Sequence, residues 1–177
     1  MLTKELLEDL SLFIQNNYIE EEVFNISESS TFKGITGLPS KEADYENYAY
    51  YLKSDSLEDF IEELDLSFSE SVLKIIKEKN LDDIDVYKRA KIGRKLFSKL
   101  RNDISYTPSR NTAICLCIGL KLDYEESQSL LSKAGYTLSK SSLSDVIVEY
   151  FIRNKKYDVY LIDEALYAND QKTLLNY

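Results

Sequence analysis

The stretch "YKRAKIGRKLFSKLRND", residues 87–103, gathers Lys88, Arg89, Lys91, Arg94, Lys95, Lys99 and Arg101 around one acid, Asp103, in a chain whose formal net charge is −9. Ammonium and guanidinium groups neutralise phosphates and carboxylates, and the arginine fork can also donate to two acceptors on one planar edge. Catalytic chemistry has little to draw on elsewhere. Histidine is absent, which removes imidazole general acid–base work, and the only cysteines, Cys115 and Cys117, lie inside the apolar run "AICLCIGL". Two residues apart on a helix they cannot bridge, and they are expected to pack as small apolar side chains. Metal sites built on imidazole or thiolate therefore lack ligands, and neither a phosphate-binding glycine loop nor a G-x-S-x-G turn occurs. The sequence implies no cofactor and no enzyme.

The positive charge is local. Residues 1–70 hold 4 Lys/Arg against 17 Asp/Glu, residues 71–111 hold 11 against 5, and residues 112–177 hold 7 against 9. Attraction to a polyanion acts over about a Debye length, roughly 8 Å at physiological salt, so a patch can bind what the whole chain repels. A basic run can equally just solvate the outer face of a helix. Its position among the elements has to decide.

With 44% hydrophobic residues, 30% charged residues, 5 Gly and 2 Pro in 177 residues, an all-α protein is expected. The longest apolar run, residues 113–120, falls far short of the roughly 20 residues of a membrane span, and the expected location is the cytoplasm, with no membrane partner. Leu2, Leu6, Leu7, Leu10, Phe13 and Ile14 repeat at three- and four-residue steps, predicting a first helix to about Tyr18 with Thr3 as its cap. Residues 23–40 read as a loop or short hairpin. Tyr45, Tyr48, Tyr50 and Tyr51 form a packing stripe or a contact surface, and Ser56 caps a short helix to Leu64 with an acidic outer face.

From Ser67 the signals are denser. "SFSE" fits a capping box ahead of "SVLKIIKEKN", Asp82 can cap "DIDVYKRA", and "KIG" leads into "RKLFSKLR" with Phe97 and Leu100 facing inward. "YTPS" reads as a helix entry with Pro108 in the first turn, and "RNTAICLCIGLKL" behind it should be the most buried element. Asp123 begins a helix whose inner face is Leu130, Leu131 and Ala134, stopped by a left-handed Gly135. Ser142 with Asp145, and then Asp158, mark the starts of two closing helices.

Residues 71–135, as five successive helices, resemble the Xre/Cro-type helix-turn-helix domain of phage repressors and bacterial regulators. "EKNLD" corresponds to the end of that family's first helix, "DIDVYKRA" to its second, Ala90 to the small residue before the turn and Ile92 to the buried turn residue. "GRKLFSKLRND" stands at the recognition helix, and "TPSRNTAICLCIGLKL" is similar to the Pro-led fourth helix. The resemblance implies that this helix lies in the major groove of double-stranded DNA. Arg94, Lys95, Ser98 and Lys99 would face the DNA, Asn102 would contact phosphate, and Lys91 and Arg110 would extend the backbone footprint.

Three residues depart from the family pattern. Asp83, beside Asp82, replaces a polar residue near phosphate, Tyr87 replaces a small residue within the second helix, and Lys91 replaces the turn glycine. The expected organisation is an acidic, mainly helical region at 1–66, a five-helix helix-turn-helix bundle at 67–138, and a helical C-terminal extension at 139–177 whose helices either form a homodimer interface or cap the core. The expected function is DNA binding in transcriptional regulation. The alternative is a protein-binding module on a repurposed helix-turn-helix, such as an antitoxin, a phage-conflict component or an inhibitor of a nucleic-acid enzyme. In that reading the acidic N-terminal region meets a protein partner or covers the basic patch.

Overall fold

Local capping chemistry sets most of the helix starts. The computed structural model describes residues 2–19 and 66–175, which form eight α-helices with no strand among them. The Thr3 hydroxyl accepts from the Leu6 amide at 3.3 Å and opens α1, Lys4–Asn17. Ser67 and Glu70 close the expected box at the start of α2, Phe68–Glu78: Glu70 accepts from the Ser67 amide at 2.9 Å and Ser67 accepts from the Glu70 amide at 3.2 Å. Asp82 accepts from the amides of Ile84 and Asp85 to open α3, Asp83–Arg89. The loop at 23–40, the tyrosines at 45–51 and the helix from Ser56 to Leu64 lie outside the described residues.

The Glu70 carboxyl is held below its ordinary value, first by the Ser67 amide and then by the Ser67 hydroxyl. A depressed carboxylate adds stability above its unfolded value, and that stability is lost as pH falls through the lower folded value. The stability gap between wild type and Glu70→Ala, read from urea melts, should therefore narrow as pH falls from about 7 to about 3. A gap independent of pH would show that the box carries no charge-dependent stability.

The helix starting at Arg94, α4 (Arg94–Asn102), turns Phe97 and Leu100 into the core as expected. Next comes α5, Arg110–Gly119, in which residues 113–119 are buried without a break, so it is enclosed on every side. Fully burying each of its aliphatic side chains contributes about 1.5–3 kcal/mol. Its cap differs from expectation: Ser109 accepts from the Thr112 amide, and Pro108 precedes the cap instead of occupying the first turn. Burial pushes the thiols of Cys115 and Cys117 up to about 12, so both pack as neutral groups.

Asp123 and Glu126 form a second capping box at α6, Tyr124–Ser132, and Gly135 follows at φ +76, the left-handed region that favours glycine. Helices α7, Leu143–Arg153, and α8, Val159–Ala168, complete the set. Asp158 caps α8 through the Tyr160 amide, whereas Ser142 makes no cap bond: its hydroxyl meets that of Ser144 at 3.0 Å, and the Asp145 carboxylate is turned to Ser139 and Arg110.

The described residues share one core. Leu6 and Leu10 of α1 and Ile147, Val148, Tyr150, Phe151 and Ile152 of α7 belong to the same buried cluster as α2 to α6. Helix α1 packs on α7, where Phe13 meets the Tyr150 ring edge-on at 5.3 Å and the Tyr150 hydroxyl donates to Asp9 at 2.5 Å. Among the described residues, those of the N-terminal region, 2–19, and those of the C-terminal extension, 139–175, belong to this same core. The two readings of the closing helices are thereby divided: α7 is buried from Asp145 through Ile152 and caps the core, and α8 keeps an outer face. No helix among the described residues is long and apolar enough to cross a membrane.

Candidate functional site

The basic stretch is presented by the pair α3–α4 and the turn between them. Ala90 is fully buried against α5, because Gly119 lets the two backbones meet: a Cβ there would stand 2.8 Å from Ala90 Cβ and 2.8 Å from the Val86 carbonyl oxygen. Lys91 then takes φ +55, the left-handed conformation for which the resemblance leads one to expect glycine. Ile92 packs half-buried on the core. Tyr87, in place of a small residue, fills the space between the helices by resting on Phe97 at 5.7 Å between ring centroids.

With Phe97 and Leu100 inward, Arg94, Lys95, Ser98, Lys99, Arg101 and Asn102 are left exposed. Asn102 donates to the Ser98 hydroxyl at 3.3 Å, one turn apart, which aligns these two polar groups along the helix. The Lys99 amine lies 4.6 Å from the centre of the Tyr106 ring, and the Lys91 amine 4.4 Å from that of Tyr160. Such seats orient an ammonium group without neutralising it. Arg94 and Lys95 have no hydrogen-bond or ion-pair partner among the described residues. Asp103 is held below its ordinary value chiefly by the Ser105 hydroxyl, which donates to it at 2.7 Å, and to a lesser degree by the Lys99 charge.

The start of α4 is electrostatically unfavourable as it stands. Gly93 offers no side-chain cap, the first turn has no acid, and Arg94 and Lys95 add positive charge to the positive end of the helix dipole. Each misplaced charge costs about 0.3–1 kcal/mol, and no side chain caps the first amides of that turn. An anion placed there would relieve both.

Two pairings change the expected site. Arg101 forms an ion pair with Asp83, so the acid that would repel phosphate is met by a cation of α4. Arg110 is withdrawn from the expected footprint: its guanidinium pairs with buried Asp145 and donates to the Thr137 carbonyl at 3.3 Å. A single arginine held this way is committed to the protein, since removing it would strand a buried carboxylate. Lys91, Arg94, Lys95 and Lys99 thus form the set of expected cations that no carboxylate among the described residues pairs. The sequence reading missed the seats Tyr106 and Tyr160, and no local motif announces them. No protein-family model, curated protein or solved structure matches the chain, so its resemblance to the Xre/Cro proteins stands on its own residues and helix order.

Proposed function

We propose that this chain binds double-stranded DNA through α4, carried by α2 to α6 as a five-helix helix-turn-helix bundle of Xre/Cro type, and that it acts as a transcriptional regulator of bacterial or phage kind. The observation that carries this reading is the exposed start of α4, where Arg94 and Lys95 stand unpaired beside uncapped amides. An α-helix with its side chains is about 10–12 Å across, which suits a major groove about 12 Å wide. In this reading Arg94 and Lys95 meet base edges or the nearest phosphates, Ser98 and Asn102 extend the polar face, and Lys91 and Lys99 hold the flanking backbone. Arg101 serves α3 by neutralising Asp83.

Four unpaired cations on four phosphates predict that log affinity falls against log salt with a slope of about −3.6 per bound chain. Lys95→Ala with Lys99→Ala should reduce that slope to about −1.8 and weaken binding at least tenfold, roughly equally across sequences. Fluorescence anisotropy on random duplex DNA at several salt concentrations reads both. Full affinity in the double variant would overturn the assignment of α4. The stoichiometry in the same titration tests a homodimer through the outer face of α8, where Tyr167 is 79% exposed. Two chains per duplex are expected, since two half-sites one turn apart multiply affinity.

A further inference from the structure

The turn that carries Lys91 borders a cavity of about 410 Å³, bounded on its other sides by α5, α8 and residues 174–175. Its outer wall is held by side-chain-to-backbone hydrogen bonds: Asp163 accepts from the Leu174 amide at 2.6 Å and the Leu175 amide at 3.2 Å, and Asn111 donates to the Leu174 carbonyl at 3.1 Å. Ile92, Leu96, Leu174 and Leu175 supply aliphatic surface, and no carboxylate of the described residues lines the space. Cys115 adds a neutral wall, since burial raises its thiol to about 12. Among the described residues that line it, Lys91 is the single cation; it is exposed at the rim, with its amine 4.4 Å from the centre of the Tyr160 ring.

The geometry points to a binding site for a small apolar monocarboxylate, its hydrocarbon body against Ile92, Leu96 and Leu174 and its carboxylate on Lys91. One cation without a counter-charge selects one anionic group, and the aliphatic lining selects an apolar body: each methylene removed from water favours binding about fourfold. The volume falls within the range of small-molecule sites. A carboxylate on Lys91 takes that amine away from phosphate, so occupancy weakens DNA binding. This last step rests on the proposed function, but the site itself does not.

The test uses the full chain with octanoate as probe, 1-octanol as its uncharged counterpart, and acetate at equal ionic strength as the control lacking an apolar body. Calorimetry without DNA should show saturable 1:1 octanoate binding, at least tenfold tighter than 1-octanol, with no acetate binding. Methyl resonances of Ile92, Leu96 and Leu174 should shift. Lys91→Gln, a change at an exposed position, should remove the preference for octanoate over 1-octanol. Equal affinity for the two, shifts confined to other methyls, or no saturable octanoate binding would each overturn the site. In anisotropy, octanoate but not acetate should lower DNA affinity several-fold. Octanoate binding by a chain that fails to bind DNA would keep the site and sink the DNA reading, whereas DNA binding by a chain indifferent to octanoate would do the reverse.

Discussion

Replacing Arg94 and Lys95 together by glutamate should raise the melting temperature of the protein while lowering its affinity for duplex DNA at least a hundredfold. The two effects have opposite signs because the same charges are misplaced for folding and placed for binding. In the free chain both cations lie in the first turn of α4, beside amides that Gly93 leaves uncapped. Exchanging them for carboxylates reverses the interaction with the helix dipole and should stabilise by about 1–2 kcal/mol, a few degrees in melting temperature. On DNA the exchange removes two favourable contacts and sets two negative charges against phosphates. Most substitutions destabilise, so a gain in stability is a sharp outcome. Paired thermal melts and anisotropy read both effects. A fall in stability would mean that Arg94 or Lys95 holds the fold together, and unchanged DNA affinity would remove α4 from any nucleic-acid interface.

The second large effect lies beneath the site. Gly119→Val is expected to destabilise by about 3 kcal/mol, near 10 °C in melting temperature, because the added atoms meet backbone and a buried methyl instead of a flexible side chain. Val86 O and Ala90 Cβ are both 2.8 Å from the position of the new Cβ, and neither can move without shifting α3. Gly119→Ala should show a smaller loss, since overpacking of about 1–3 kcal/mol is offset by roughly 1 kcal/mol of helix propensity. Gly93→Ala is the control: its Cβ meets nothing within 4 Å, so only the roughly 0.5–1 kcal/mol of a weaker cap is lost. Gly119→Val as stable as wild type would show that α3 can leave α5 freely. Because α3 leads through the turn into α4, whatever folded Gly119→Val remains should also bind DNA less well.

These two glycines show how differently sequence and structure inform. Both are visible as glycines in the sequence, but only the approach of α3 to α5 makes Gly119 irreplaceable, while Gly93 stands in open space. The all-α character, the starts of α1, α2, α3, α6 and α8, the left-handed Gly135 and the inward Phe97, Leu100, Leu130 and Leu131 were legible in the residues alone. Capping and amphipathic periodicity act over three or four residues, so a short window contains the whole interaction. Cys115 and Cys117 were likewise recognisable as packing residues from the apolar run around them.

The basic stretch was legible as a charge pattern, but not in terms of which of its members are free. Arg101 meets Asp83 across the α3–α4 turn, Arg110 meets Asp145 from a helix 35 residues further on, and Lys91 rests on Tyr160 of α8. Such partners are chosen by how helices cross, and helical periodicity predicts which face of a helix is buried without naming what covers it. The same limit explains Asp145, whose spacing from Ser142 fits a cap that tertiary contacts override, and α1, which packs into the common core despite its distance in sequence from α7. Short-range hydrogen bonding and apolar spacing therefore determined from the sequence that helices form and which sides they bury. In the basic stretch and at Arg110, tertiary packing decided which charges remain unpaired, because Arg101 and Arg110 meet carboxylates that the chain brings to them only after it has folded.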